Sequence, residues 1–480
     1  MTIAPMNYPL GSVEPMKVAR RVMDGLWKAE RGVPGLVVWR GQFWEWAKVG
    51  RVERWRRLER VQVEDRVRLG LEDAWVGSDE KVRRWGVNSG KVKEVVEALE
   101  TLGRQAVEGH TELPAWLGGS ECPVDRERTL AFEDGLLDVG TPMSVGRGRE
   151  WFDGVVLPGR LEAEEGRGSP SCPVWWECLG KWGKGDPAWM ALAKRMVGMC
   201  LLPGKHHHRW GLLFGAAGTG KTTFMKVVEW LVGRDAYLST DAASVGGGFG
   251  LDGMQGARLV GIKEVVDLEG KQGDAVAGVA KRIMGEDEVT INAKFERPEK
   301  NVKPKATLVM VSNTMPKLPN RGLGLSQKML VLPFLEVFRG QEGEDLRLEE
   351  KLRGELEGIA RWAMEGAREI EMAGPRERWP VPEEGREVVR RFVLDNNPAD
   401  AFLEARCVRV EGGFVSNELL WREWEEWRAV NRIKVEVSRN RLGLFLCEEG
   451  TWGLTRTRKA NGGPRGLRGI GLSKHADDAM

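Results

Sequence analysis

The eight residues GAAGTGKT at 215–222 have the types and spacing that handle phosphate. They form a complete GxxxxGK[ST], led by the apolar Leu212, Leu213 and Phe214 and followed by Phe224, Met225, Val228 and Leu231 at helical spacing. That is the strand–loop–helix context the pattern needs. Gly215, Ala216, Ala217, Gly218, Thr219 and Gly220 supply a turn of backbone amides, and the helix that follows adds its N-terminal dipole. Lys221 should reach the β and γ phosphates of ATP, Thr222 should ligate Mg²⁺, and Thr223 completes the cradle.

Hydrolysis also needs a carboxylate at the end of a neighbouring strand, to hold Mg²⁺ through water and polarise the attacking water. Glu264 closes the apolar run LVGIKE, 43 residues after Lys221. Its bland alternative is an exposed strand-end glutamate. Asp267 and Asp241 are weaker second carboxylates. Asn313, at the tip of LVMVSN, is the polar residue to contact the γ-phosphate or the lytic water. Together these pieces imply a nucleotide hydrolase.

The elements that must position these residues follow from periodicity. Apolar strand-like runs at 211–214, 258–265, 306–313 and 329–334 alternate with helical stretches, which implies an α/β domain with a mostly parallel sheet. The expected organisation is a small mixed α/β N-terminal domain at 1–115 and a loop-rich, then helical, collar at 116–205. An ATPase domain at 206–374, a Pro-, Glu- and Arg-rich linker at 375–392, and a basic C-terminal domain at 393–480 follow. Residues 50–76 read as a basic helix. Trp39, Phe43, Trp44 and Trp46 read as packing residues of the first domain.

Composition sets limits. The chain has 480 residues, 41% hydrophobic and 30% charged, with 73 Lys and Arg against 71 Asp and Glu. That excludes collagen-like, disordered and disulfide-scaffold classes. Six cysteines form no CxxC and there are only five histidines, so a zinc ribbon is out and a reduced, cytosolic setting is expected. The N-terminus lacks a signal-peptide profile, and no apolar run approaches the ~18 residues a bilayer needs. The 62 glycines and 21 tryptophans against 2 tyrosines are as readily a genomic bias as a binding device.

From about residue 130 to 473 the chain resembles the helicase portion of the phage, plasmid and poxvirus type primase-helicases, in superfamily 3 of the AAA+ helicases. The blocks that carry the resemblance are AFEDGLLDV at 131–139, CPVWWECL at 172–179 and GFGLDGMQGARLVGIKE at 248–264. Further blocks are KRIMGEDEVTINAKFERP at 281–298, SNTMPKLP at 312–319 and ELEGIARWAMEGAREI at 355–370, with Glu357 where the family has proline. The resemblance implies an AAA+ P-loop core, a homo-oligomer forming a hexameric ring, and ATP-driven movement on single-stranded and forked DNA. It also implies a trans-acting arginine finger. The matching position is Lys328, a point charge without the guanidinium fork, and Arg321 is the alternative. The primase part of longer relatives is missing here, which implies a separate primase or polymerase partner. The setting implied is the cytoplasm of a bacterial host, with no membrane.

Two stretches are expected to hold DNA. The segment 289–306 reads as two short strands around a polar turn carrying Lys294, Phe295, Arg297, Lys300, Lys303 and Lys305. Such cations would neutralise backbone phosphates without reading sequence. Between 431 and 468 nine Lys or Arg face three Glu, in a helix–helix–hairpin pattern that suggests a winged helix. Arg439, Arg441, Arg456, Arg458 and Lys459 are its candidate contacts. A solvated surface is the competing reading of both. Two rival functions stay open at this point: a nucleotide-gated DNA-binding or origin-melting module with little unwinding, and a P-loop protein whose nucleotide only stabilises an oligomer.

Overall fold

The structure is a computed structural model. It describes residues 13–78, 81–108, 111–161, 170–203, 208–246, 254, 256–263, 271–285, 289–291, 299–302, 304–316, 318, 324–342, 344–374, 378–458 and 463–473. The fold is mixed α/β, built around one parallel sheet.

That sheet contains β1 (Trp210–Phe214), β2 (Tyr237–Asp241), β3 (Leu259–Lys263), β4 (Thr307–Ser312) and β5 (Met329–Pro333). Spatial order is β2-β3-β4-β1-β5, all parallel. Strands buried on both faces read as continuous apolar runs, which is why WGLLF, TLVMVS and MLVLP show no alternation. Register aligns Phe214 with both Ser312 and Pro333, so the strand ends that follow form one rim.

Helices cover both faces. Helix α1 (Pro173–Trp182) and α2 (Pro187–Leu201) precede the sheet, α3 (Lys221–Val232) follows β1, and α4 (Lys271–Gly285) follows β3. After β5 come α5 (Leu348–Gly354), α6 (Leu356–Ala373) and α7 (Glu383–Asn396). Prolines open α1 and α2 at the first turn, where a missing N–H costs nothing.

Residues 172–202 do not form a collar with its own core. Trp175, Trp189, Leu192 and Met196 join Phe224, Leu332 and Trp362 in one cluster spanning the sheet face. The reason is visible at the α2–α6 crossing. A Cβ on Gly198 would lie 2.2 Å from Ala367 N, and one on Gly366 2.1 Å from Lys194 O. Only two glycines let these backbones meet, and the boundary expected at 205 falls inside the packed unit.

The expected linker is also largely structured. From residue 383 onward it is α7, whose Phe392 is fully buried and whose Val388 and Val389 pack beside Met329 and Val331. Its Pro- and Glu-rich opening hid an amphipathic helix behind a loop-like composition.

N-terminal to this, helix Pro15–Leu26 and helix Ser89–Gly103 pack on an antiparallel sheet of Leu36–Trp39, Gln42–Val49 and Val52–Leu58. Trp39, Phe43 and Trp44 are buried here, with Trp39 and Trp44 edge-on to Phe152, so they are packing residues. The stretch read as one long basic helix divides. Val52–Leu58 is a strand paired with Gln42–Val49, and Arg60–Leu71 is the helix. Trp55 opposite Trp46 decides for the strand: it is buried edge-on to Trp46, and Leu58 is buried opposite Phe43 on the same neighbouring strand.

The C-terminal unit runs α8 (Pro398–Arg406), β6 (Cys407–Ser416), α9 (Asn417–Val430), α10 (Arg439–Glu448), β7 (Thr455–Arg458) and β8 (Arg465–Leu472). Its strands form an antiparallel sheet of order β6-β8-β7 over a core of Phe402, Trp424, Trp427 and Leu446. Among the described residues no helix is long and apolar enough to cross a membrane.

Candidate functional site

The loop between β1 and α3 has the left-handed turns its glycines permit. Gly218 and Gly220 have φ of 79° and 96°. A Cβ on Gly215 would sit 1.9 Å from Phe334 O, and one on Gly220 2.1 Å from Trp182 Nε1. The loop is thus clamped from outside by the end of β5 and by α1. Gly218 O accepts from the amides of Phe338 and Arg339, at 2.9 and 3.2 Å.

Gly220 is the N-cap of α3 and carries no side chain to cap it. The first-turn amides of α3 therefore have no intrahelical acceptor and are free for an anion. Thr219 is buried, its hydroxyl donating to Ala216 O at 2.9 Å. Lys221 is buried too, at 4% exposure. Its ammonium donates to Gly215 O at 2.6 Å, Ala216 O at 2.5 Å and Thr219 Oγ1 at 3.2 Å. All three partners are neutral. Burial lowers its pKa below that of an ordinary lysine. A buried cation hydrogen-bonded only to neutral oxygens is electrostatically suited to an anion beside it.

This loop forms one wall of a cleft of about 930 Å³ at the C-terminal rim of the sheet. That lies within the size range of nucleotide and cofactor pockets and at the end of the sheet where open α/β folds bind ligands. Thr222, exposed, and Asn313, exposed beyond the end of β4, both line it. The strand order brings Asn313 next to the loop, since β4 is the neighbour of β1.

Glu264 and Asp267 lie outside the described residues. Lys263, just before Glu264, lines the cleft and pairs with Glu229 of α3 at 3.3 Å. Asp241 sits on the edge strand β2. It caps the short helix Ala242–Gly246, accepting from Ser244 N at 2.7 Å and Ser244 Oγ at 2.9 Å, and these bonds hold its carboxyl below the usual range. It is a capping residue, and it does not line the cleft. Mg²⁺ takes oxygen ligands and keeps several waters. The open Thr222 hydroxyl suits it, and among the described residues no group of three or more His, Cys, Asp or Glu forms an all-protein metal cage.

Lys328 precedes β5, at the opposite end of the sheet from the loop. The five residues of β5 put roughly 16 Å between that end and the rim. It cannot serve the nucleotide of its own chain. Arg321 lies outside the described residues.

Residues that local reading missed line the other wall. Val174, Glu177, Cys178, Lys181 and Trp182 come from α1. Phe338, Arg339 and residues 344–351 come from the segment after β5. Desolvation pushes the Cys178 thiol up to about 12, so it is a packing group. No sequence spacing linked these segments to the loop.

Of the DNA candidates, Lys294, Phe295, Arg297, Lys303 and Lys459 lie outside the described residues. Strands Val289–Ile291 and Glu299–Val302 do pair antiparallel, and Lys300 is on the second, its side chain outside the described residues. Lys305 is half-buried and bound to Glu127 at 3.0 Å, joining two segments. Arg439 lies 3.6 Å from Glu418, while Arg441, Arg456 and Arg458 are exposed. Arg465, not singled out from sequence, stands directly opposite Arg458 across the β7–β8 ladder.

A model of a family of unknown function, DUF5906, matches residues 213–324. No curated protein matches the chain. Among solved structures, the A form apo structure of NrS-1 C terminal region is similar at 13% identity and a TM-score of 0.45, covering 91% of this chain and 97% of that one. The apo structure of the same NrS-1 region gives 12% identity and 0.47, covering 95% and 99%.

Proposed function

We propose that the chain is an ATP-driven DNA helicase of the superfamily 3 AAA+ type, working as a ring in replication of a phage, plasmid or mobile element. The observation that carries the nucleotide part is Lys221, an ammonium buried among neutral oxygens beside free helix amides. A triphosphate supplies the missing charge. The DNA and ring parts rest on the family resemblance and on the exposed arginines of β7 and β8.

In this reading Lys221 and the loop amides hold the β and γ phosphates, and Thr222 and Glu264 hold Mg²⁺, which offsets phosphate charge when bound. Glu264 polarises the attacking water and Asn313 orients it against the γ-phosphate. Lys328 reaches the nucleotide of a neighbouring copy. The ribbon at 289–302 grips one strand, and the C-terminal unit, read as a winged helix, recruits DNA or a partner.

Forked-DNA unwinding measured beside DNA-stimulated ATPase tests this. Wild type should do both and Lys221→Ala neither. A wild-type chain that stays monomeric with DNA and nucleotide present sinks the ring.

One observation favours a second reading, a nucleotide-gated DNA-binding module. Lys263 with its Glu229 partner occupies the place of a paired acid, which lowers the carboxylate count available for turnover. ATP-dependent DNA binding without strand separation or turnover would select it.

A further inference from the structure

The charges around the cleft do not cancel group by group. Glu177 is bound to Lys181 at 2.7 Å, Asp345 to Lys351 at 2.7 Å, Glu349 to Lys226 at 2.5 Å and Glu229 to Lys263 at 3.3 Å. Glu344 accepts from Gly340 N at 2.8 Å. Among the described lining residues, Lys221, Arg339 and Arg347 have no carboxylate partner, against Glu350 as the one acid with neither an ion pair nor a hydrogen bond. Lys221, Arg339 and Arg347 thus line the cleft without a carboxylate bound to them, while Glu344 and Glu350 are the lining acids without a cation among the described residues.

Arg339 differs from Arg347 in how its backbone is held. Its amide donates to Gly218 O at 3.2 Å, next to the bond from Phe338, and its Cβ lies 2.8 Å from where a Gly218 Cβ would be. The base of the side chain is pinned to the loop, and the residue is exposed and lines the cleft, so its guanidinium is within reach of a phosphate held by the loop. A guanidinium so placed spans two phosphate oxygens with a fork of N–H groups, which no lysine reproduces.

We propose that Arg339 is a further phosphate contact of the same chain, reading the terminal phosphate of the bound triphosphate. The inference rests on the nucleotide reading of the loop. It gives the segment after β5 a task beyond covering the cleft: distinguishing the nucleotide before hydrolysis from the product after it.

Calorimetric titration of the full chain with a non-hydrolysable ATP analogue and with ADP, each with Mg²⁺, tests it on wild type, Arg339→Ala, Arg339→Lys and Lys221→Ala. In Arg339→Ala the triphosphate affinity should fall about tenfold while ADP affinity changes less than about twofold, the loss of one charge-assisted bidentate contact. Arg339→Lys should recover part of the loss. Equal weakening of both ligands, or no change in either, overturns the role of Arg339 while leaving the nucleotide site standing. A wild type that binds neither ligand, or a Lys221→Ala that binds both as well as wild type, overturns the nucleotide reading and this inference with it. Because Arg339 is exposed, its substitution should leave the unfolding transition unchanged, and that measurement separates a lost contact from a damaged fold.

Discussion

Gly220 and Trp182 touch so closely that a single added carbon at Gly220 would fall 2.1 Å from the indole Nε1. The contact joins the first turn of α3 to the end of α1. Gly220 also has φ of 96°, where any other residue is strained. Gly220→Ala should therefore cost about 2 kcal/mol in stability, from backbone strain and overpacking together. It should also displace the amides that cap an anion. Chemical unfolding beside nucleotide titration checks both; a variant as stable as wild type and binding equally well would contradict the packing account.

The buried ammonium of Lys221 predicts an alkaline pH effect of definite sign. Its folded pKa is depressed below the ordinary 10.5 by burial. Below the folded value both states carry the proton and the burial cost is fully present. Between the folded value and 10.5 the unfolded chain holds the proton more tightly, so stability rises with pH. Lys221→Met removes the effect. Without nucleotide, the stability difference between wild type and Lys221→Met should move in favour of wild type as pH climbs towards 10.5, read from urea midpoints.

Lys328 sits at the far end of the sheet from the loop, so in a ring it can act only on a neighbour. Lys221→Ala and Lys328→Ala should each be inactive alone. Mixed in equal amounts, they should recover a measurable fraction of ATPase, because some interfaces combine an intact loop with an intact Lys328. Absence of recovery, in mixtures proven to co-assemble, would remove Lys328 from the active site.

Arg458 and Arg465 face each other across the β7–β8 ladder without a carboxylate between them among the described residues. Like charges directly opposite destabilise a hairpin. Arg458→Thr should leave stability unchanged or raise it by up to ~1 kcal/mol. DNA affinity should fall, and the slope of log K against log salt should shrink by about 0.7 if the lost contact is to single-stranded phosphate. Opposite signs for folding and binding are what mark a functional charge.

Asp153 and Arg258 form a buried pair at 2.9 Å, both 4% exposed. Arg258 also donates to Leu201 O at 3.0 Å, so it ties the segment after Phe152 to the start of β3. Asp153→Ala should cost about 3–5 kcal/mol by stranding the guanidinium. The double change Asp153→Ala with Arg258→Met should cost less than Asp153→Ala alone. A double-mutant cycle of thermal unfolding measures it.

Local signals made the strand–loop–helix at 210–232 legible, because GxxxxGKT is contiguous and its flanks are periodic. The wall made by α1 and the 338–351 segment was not legible. Trp182 meets Gly220 across 38 residues and Arg339 meets Gly218 across 121, and nothing in a linear pattern encodes such distances. The misread stretch at 50–76 failed for a different reason: VERWRRL alternates weakly enough to pass as helix until Trp55 finds Trp46 on the neighbouring strand. In α7 the surface charge of EEGREVVRR outweighed three buried positions.

The glycine crossing between α2 and α6 bears on how the chain can be dissected. A fragment starting at β1 would remove α1 and α2, uncovering Phe224, Leu332 and Trp362 along a face that Trp175, Trp189 and Leu192 now seal. Such a truncation would expose a continuous greasy surface and aggregate. The smallest self-standing piece built on the parallel sheet has to begin before Cys172, well upstream of the glycine-rich loop.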